Sequence, residues 1–204
     1  MTAGRVDAEA RALLDAAAGA LRSGQLDVAE KLGRKLLEIE PALALAHLTW
    51  GFILQQTGRL SEALEAFDRA AQIDPGDVAA HFNRGAVLER QGRLEQALGA
   101  YDQAVRLKPD FAQAHFGRGI VLRRQGRLDE ALDAYDRVLQ LNPDDHRAHI
   151  DRGAVLRRQG RLEEALAAYD EALRIEPNDA WAHNNRANAL AFQGRFGEAA
   201  AAYE

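Results

Sequence analysis

The sequence predicts an all-α protein built from repeated helix-turn-helix units, and three observations predict it. The five prolines, Pro41, Pro75, Pro109, Pro143 and Pro177, each stand 34 residues after the one before, and a fixed period of that length marks a stacked repeat. A glycine keeps the same period at Gly24, Gly58, Gly92, Gly126, Gly160 and Gly194. Between these marks the apolar residues step by three and four, as in Leu94, Ala97, Leu98, Tyr101 and Val105, which is helical spacing.

Each unit reads as two helices. The glycine of the Gln-Gly-Arg-Leu turn ends the first, because glycine takes left-handed backbone without steric cost. The proline ends the second, since it lacks an N–H and clashes with the preceding turn. A second glycine column (Gly51, Gly85, Gly119, Gly153, with Ala187 in the last copy) and an alanine column (Ala29, Ala63, Ala97, Ala131, Ala165, Ala199) fall where the two helices of a unit cross. An aromatic column, Phe67, Tyr101, Tyr135, Tyr169 and Tyr203, fills the gap beside them. Residues 1–9 are set apart as an N-terminal tail and 10–204 form the array. A degenerate copy at 10–43 has Gly33 where the aromatic belongs; full copies follow at 44–77, 78–111, 112–145 and 146–179, and an incomplete one occupies 180–204.

With 28% charged and 47% hydrophobic residues over 204 positions, the composition is that of a folded, soluble chain. No run approaches the roughly 18 apolar residues of a membrane span, and the first ten residues lack the basic start and apolar centre of a signal peptide. No membrane partner and a cytoplasmic location are expected. The chain has no cysteine, hence no disulfide or thiolate metal site. A formal net charge of -5 argues against a nucleic-acid partner.

No catalytic residue is assigned and no enzyme is expected. The serines are Ser23, in a turn, and Ser61, at a helix start, and neither lies in a nucleophile motif. No Gly-Lys-Ser or Gly-Lys-Thr phosphate loop occurs, so no nucleotide cofactor is expected. A histidine column at His47, His81, His115, His149 and His183 cannot hold one metal, because successive helix layers lie roughly 8–10 Å apart. His146 and His149, three apart on one helix, read as packed or solvated histidines, so no metal is assigned. The carboxylate pairs Glu163–Glu164 and Asp144–Asp145 sit at helix starts or in turns, where negative charge meets the helix dipole.

A 34-residue unit with Gly, Leu, Ala, Tyr and Pro in this order resembles the tetratricopeptide repeat (TPR). The resemblance covers nearly the whole chain and implies a right-handed α-α superhelix, a TPR solenoid of about six repeats. Two departures stand out. The fourth place of the unit, usually a large apolar residue, is the histidine column, and the seventh, usually leucine, is arginine in four copies (Arg84, Arg118, Arg152, Arg186). A purely apolar seam along the first helices is therefore not expected.

Helical periodicity sends places 2, 5, 6, 9, 12 and 13 of the first helix away from its packing face. In the family this side lines a concave groove where peptides bind. Here it carries Leu45, Leu48, Phe52, Phe82, Phe116, Ile120 and Ile150, then turns basic at Arg90, Arg123, Arg124, Arg157 and Arg158, and ends in Asn184, Asn185 and Asn188. These apolar residues read either as a binding floor or as core between units, and the arginines either as a binding rim or as helix-end cations. The family's lysine and asparagine clamp on a terminal carboxylate lacks its lysines here. Nor is there an asparagine ladder at the sixth place, which reads Thr49, Asn83, Gly117, Asp151 and Asn185.

Three functions suit such a surface. The first is a scaffold that binds a protein or peptide segment carrying apolar anchors and acidic residues. The second is the substrate-presenting arm of a larger enzyme of glycosyltransferase or sulfotransferase type. The third is a structural protein that self-associates through an open C-terminal edge, where Phe196, Ala199, Ala200 and Tyr203 are expected on the inner face of the last helix. One feature of the packing is also expected: Asp68, Asp102, Asp136 and Asp170 each precede an arginine by 16 residues, at Arg84, Arg118, Arg152 and Arg186, a pattern that suits ion pairs between successive units. Where Arg34 replaces the aspartate, Trp50 replaces the arginine.

Overall fold

The computed structural model describes the backbone of residues 3–201 and the side chains of residues 8–200. It consists of two compact units, 1–108 and 109–204. Unit 1 holds α1 (Ala3–Arg22), α2 (Leu26–Ile39), α3 (Ala44–Gln56), α4 (Leu60–Ile73), α5 (Val78–Arg90) and α6 (Leu94–Leu107). Unit 2 holds α7 (Ala112–Arg124), α8 (Leu128–Leu141), α9 (His146–Arg158), α10 (Leu162–Ile175), α11 (Ala180–Phe192) and α12 (Phe196–Ala201). No strand occurs among the described residues. Within each unit an odd-numbered helix packs on the even-numbered one after it, and that helix packs on the next odd-numbered one. This is the connectivity of an all-α TPR solenoid. Residues 3–9, set apart as a tail in the sequence, are helical and belong to α1.

The turn chemistry accounts for these boundaries. Each turn glycine from Gly24 to Gly194 has φ between 71° and 79°. At Gly126, for example, the chain reverses so that Arg127 N–H reaches back to the Leu122 carbonyl at 3.0 Å, which satisfies an orphan carbonyl at the end of α7. At the other turn an aspartate caps the helix that follows. Asp77, Asp145 and Asp179 accept from first-turn amides of α5, α9 and α11.

The crossing of paired helices is as tight as the small-residue columns require. Ala63, Ala97, Ala131 and Ala165 are fully buried. A Cβ placed on Gly119 would lie 2.7 Å from Tyr135 Cε1, and one on Gly153 would lie 2.6 Å from Tyr169 Cε1. In the degenerate first copy the missing aromatic is replaced from outside: Trp50 and Ile53 come to within 2.7–2.9 Å of where a Gly33 Cβ would be.

The two departures from the family pattern form polar links. In all five copies the histidine Nε2 lies 2.8–3.0 Å from the carbonyl of the proline six residues earlier, from His47 on Pro41 to His183 on Pro177. A carbonyl only accepts, so Nε2 carries the hydrogen, and each ring ties its helix to the turn before it. The arginines meet the expected aspartates. Within the units Asp68–Arg84, Asp136–Arg152 and Asp170–Arg186 close at 2.5–2.6 Å, each joining a second helix to the next first helix. Half-exposed pairs of this kind contribute about 0.2–1 kcal/mol each. The fourth expected pair has Asp102 in one unit and Arg118 in the other. Where the chain swaps both partners, the Arg34 guanidinium lies 5.4 Å from the Trp50 ring centroid, a cation–π contact in place of the ion pair.

At the C-terminal edge Ala199 is buried, but Phe196, expected on the inner face, is 71% exposed, and Ala200 is exposed as well. Tyr203 lies outside the described residues.

Candidate functional site

Unit 2 contains a cleft of about 650 Å³ formed by its three first helices, α7, α9 and α11. Its lining follows the helical register. Places 5 and 12 of α7 supply Phe116 and Arg123, and α9 contributes Ile150, Asp151, Ala154 and Arg157 from places 5, 6, 9 and 12. His146 and Arg147 close the end near the start of α9, and Asp179, Trp181 and Asn185 come from the start of α11. The second helices of the repeats contribute none of the lining residues.

The apolar part of the cleft is only half covered. Phe116 rests edge-on against Tyr135, with ring centroids 5.7 Å apart and planes at 69°, so one side of its ring is core and the other is floor. Ile150 is likewise half-buried. Trp181 stands at the rim with 74% of its surface exposed.

The charged part is unbalanced. Arg123 Nη2 lies 3.4 Å from Asp151 Oδ1, longer than the roughly 2.7–2.9 Å of a good charge-assisted hydrogen bond. Burial pushes the Asp151 carboxyl above the usual carboxylate range; Arg123 pulls it back and Asp145 pushes it further. Both the Arg123 and the Arg157 Nε are buried without an acceptor. The Arg157 guanidinium lies 5.7 Å from the centroid of the Phe192 ring, which is itself 69% exposed. Asp179 is already committed: Oδ1 caps the amides of Trp181 and Ala182 at 2.8 and 3.0 Å, and Oδ2 faces His146 Nε2 at 3.5 Å.

Of the residues placed on this face from the sequence, Phe116, Arg123, Ile150, Arg157 and Asn185 line the cleft. Ile120 is half-buried beside it, Arg124 and Asn184 are exposed, and Asn188 is half-buried on α11, all outside the lining. Arg158 donates to the Arg123 carbonyl at 2.9 Å, so it serves the end of α7. The sequence reading passed over Arg147 and Trp181, both at the second place, a place already assigned to this face through Leu45. Asp151 enters the sequence analysis only as a rung of an absent ladder.

Unit 1 carries the other residues. Leu48 is buried and belongs to the core, whereas Phe52 and Phe82 are half-buried. Phe52 packs edge-on against Phe67 at 5.6 Å and Phe82 lies tilted on Tyr101 at 5.8 Å. Arg90 is exposed at the end of α5.

Among the described residues no helix is long and apolar enough to cross a membrane, and no group of three or more His, Asp or Glu residues suits a metal ion. No curated protein matches the chain. Among solved structures, Pseudomonas aeruginosa PilF is similar over 97% of this chain and 90% of its own, with TM-score 0.85 and 22% identity. MamA from Desulfovibrio magneticus is similar over 84% of this chain and 97% of its own, with TM-score 0.77 and 20% identity. YrrB, described as a TPR protein with an unusual peptide-binding site, is similar over 83% of this chain and 88% of its own, with TM-score 0.71 and 23% identity. These likenesses bear on the fold. Models of the tetratricopeptide repeat match residues 48–110, 82–146, 118–180 and 168–201, and with the helix pairs packed as described over the same stretch, the chain belongs to the tetratricopeptide repeat family.

Proposed function

We propose that the chain is a non-catalytic protein-interaction scaffold whose unit 2 cleft takes a peptide segment bearing an apolar anchor and an acidic group. The observation that carries this reading is the half-covered floor of Phe116 and Ile150 beside two guanidiniums, Arg123 and Arg157, that retain buried donors without acceptors. An apolar side chain buried on that floor would contribute about 1.5–3 kcal/mol. Each ion pair would contribute less and be screened by salt. The anchors therefore supply most of the affinity, and the arginines add a smaller share of it together with orientation and association rate. The peptide-binding site described for YrrB, which shares the fold, supports a peptide as ligand. The net charge of -5 speaks for a protein partner over nucleic acid, and the absence of cysteine suits a reducing compartment such as the cytoplasm. In unit 1, half-buried Phe52 and Phe82 and exposed Arg90 offer side chains of the same kinds.

The test is capture of partners from native extract on the immobilised chain, followed by affinity measurement of whatever is captured. A Phe116→Ala/Ile150→Ala variant with unchanged helical circular dichroism should bind about a hundredfold more weakly if both are central anchors. An Arg123→Glu/Arg157→Glu variant should bind more slowly, with a flatter salt dependence. Unchanged affinity in the anchor variant moves the function off this cleft.

A further inference from the structure

We propose that Asp151 is a built-in stand-in for the partner's carboxylate: it occupies Arg123 in the free protein and is displaced when an acidic side chain of the bound segment takes the guanidiniums of Arg123 and Arg157. This rests on the reading of the cleft as a peptide site and names the residue that sets its selectivity.

Four observations converge on Asp151. Its contact with Arg123, at 3.4 Å, is loose beside the 2.6 Å pairs Asp136–Arg152 and Asp170–Arg186 elsewhere in the same unit. It leaves Arg123 Nε, and Arg157 Nε on its own helix, buried and without an acceptor. The other aspartate of the lining, Asp179, has one oxygen on the amides of α11 and the other toward His146, so it does not compete for the guanidiniums. The titratable and charged side chains around Asp151 are Arg123 from α7, Asp145, His146, Arg147 and Arg157 from α9, Tyr169 from α10, whose buried hydroxyl lies beside Arg157, and Asp179 from the start of α11, with neutral Asn185 on α11. Burial already strains the ionised carboxylate, which makes Asp151 a poor permanent partner and an easily displaced one.

The consequence is a threshold. A segment with only a carboxylate must compete with Asp151, and one with only an apolar side chain leaves the arginine donors unmet. A segment that brings both gains the floor of Phe116 and Ile150 beside the Trp181 rim while it replaces a loose ion pair by a close one. The partner class is thus an acidic-apolar peptide in which the two groups sit at a fixed spacing.

The experiment uses the full chain and arrayed nonapeptides that pair one phenylalanine or leucine with one glutamate at each short spacing, every peptide matched by glutamine and lysine counterparts. Binding is read by anisotropy of a dye on the peptide. Wild-type protein should select glutamate over glutamine at one spacing. Asp151→Asn should bind that glutamate peptide about three- to tenfold more tightly and its glutamine counterpart unchanged. Arg123→Gln should bind the glutamate peptide at least about tenfold more weakly. Glutamate binding unchanged or weakened by Asp151→Asn overturns the proposal while leaving the peptide site standing. A lysine peptide that binds wild type and is lost in Asp151→Asn also overturns it, assigning Asp151 to a cation of the partner. If no peptide of the array binds wild type, the peptide-site reading itself fails and the proposal with it.

Discussion

At the scale of single residues, Asp151 makes the sharpest claim on stability as well as on binding. Burial holds its carboxyl above the ordinary range, against the pull of Arg123 and with a push from Asp145. A folded value above the unfolded one means that the fold favours the neutral acid, so this contribution is present below the unfolded value of about 3.9 and is lost as pH rises through the folded value. Asp151→Asn should therefore raise the melting temperature at neutral pH. The gain should vanish near pH 3, where Asp151 is protonated in both states. A lower melting temperature at neutral pH would show that the pairing with Arg123 outweighs burial.

At the scale of the element, the repeat holds its helix pairs together by a glycine against an aromatic ring. Gly119 meets the Tyr135 ring edge so closely that an added methyl group requires the ring or the helix to move. Tyr135 is fully buried and has nowhere to go. Gly119→Ala should cost about 1–3 kcal/mol in urea unfolding, against a gain of about 0.5–1 kcal/mol expected at an exposed helical glycine such as Gly99, which meets nothing within 4 Å.

This crossing was fully legible from the sequence, because it depends on residues that the period of 34 brings into one column. The ion pairs within the units were legible for the same reason: the aspartate and arginine columns are kept together from Asp68 and Arg84 onward, and the exception at Arg34 and Trp50 marks a substitution of one contact by another. The histidine bond to the proline carbonyl was not. The sequence shows the column, but the acceptor is a backbone atom, and backbone atoms carry no sequence signal of where they point. The cleft was legible only in part. Periodicity placed Phe116, Ile150, Arg123 and Arg157 on one face, but whether an arginine there faces a ligand or, as Arg158 does, a neighbouring carbonyl depends on rotamers that spacing leaves open.

At the scale of the whole chain, repetition separates scaffold from function. Places that close the helix pairs and join them hardly vary, as a solenoid whose units contact only their neighbours requires. Places of the first helices that face away from the second helices do vary. At the second place Gln113, Arg147 and Trp181 succeed one another, and at the thirteenth Arg124, Arg158 and Phe192. Exposed places of the second helices vary too, as at Glu65, Gly99, Asp133 and Ala167, but those on α11 carry large aromatics, Trp181 and Phe192, at 74% and 69% exposure, and exposed apolar surface of that size marks a contact site.

The most direct measurement is a map of amide and indole NMR shifts as the identified partner segment is titrated into the labelled chain. The account predicts that the largest changes fall on Phe116, Arg123, Ile150, Asp151, Arg157 and the Trp181 indole, with the outer faces of α8 and α10 unmoved. Changes centred on α8 and α10, or on Phe196 and α12 with the cleft unmoved, would contradict it.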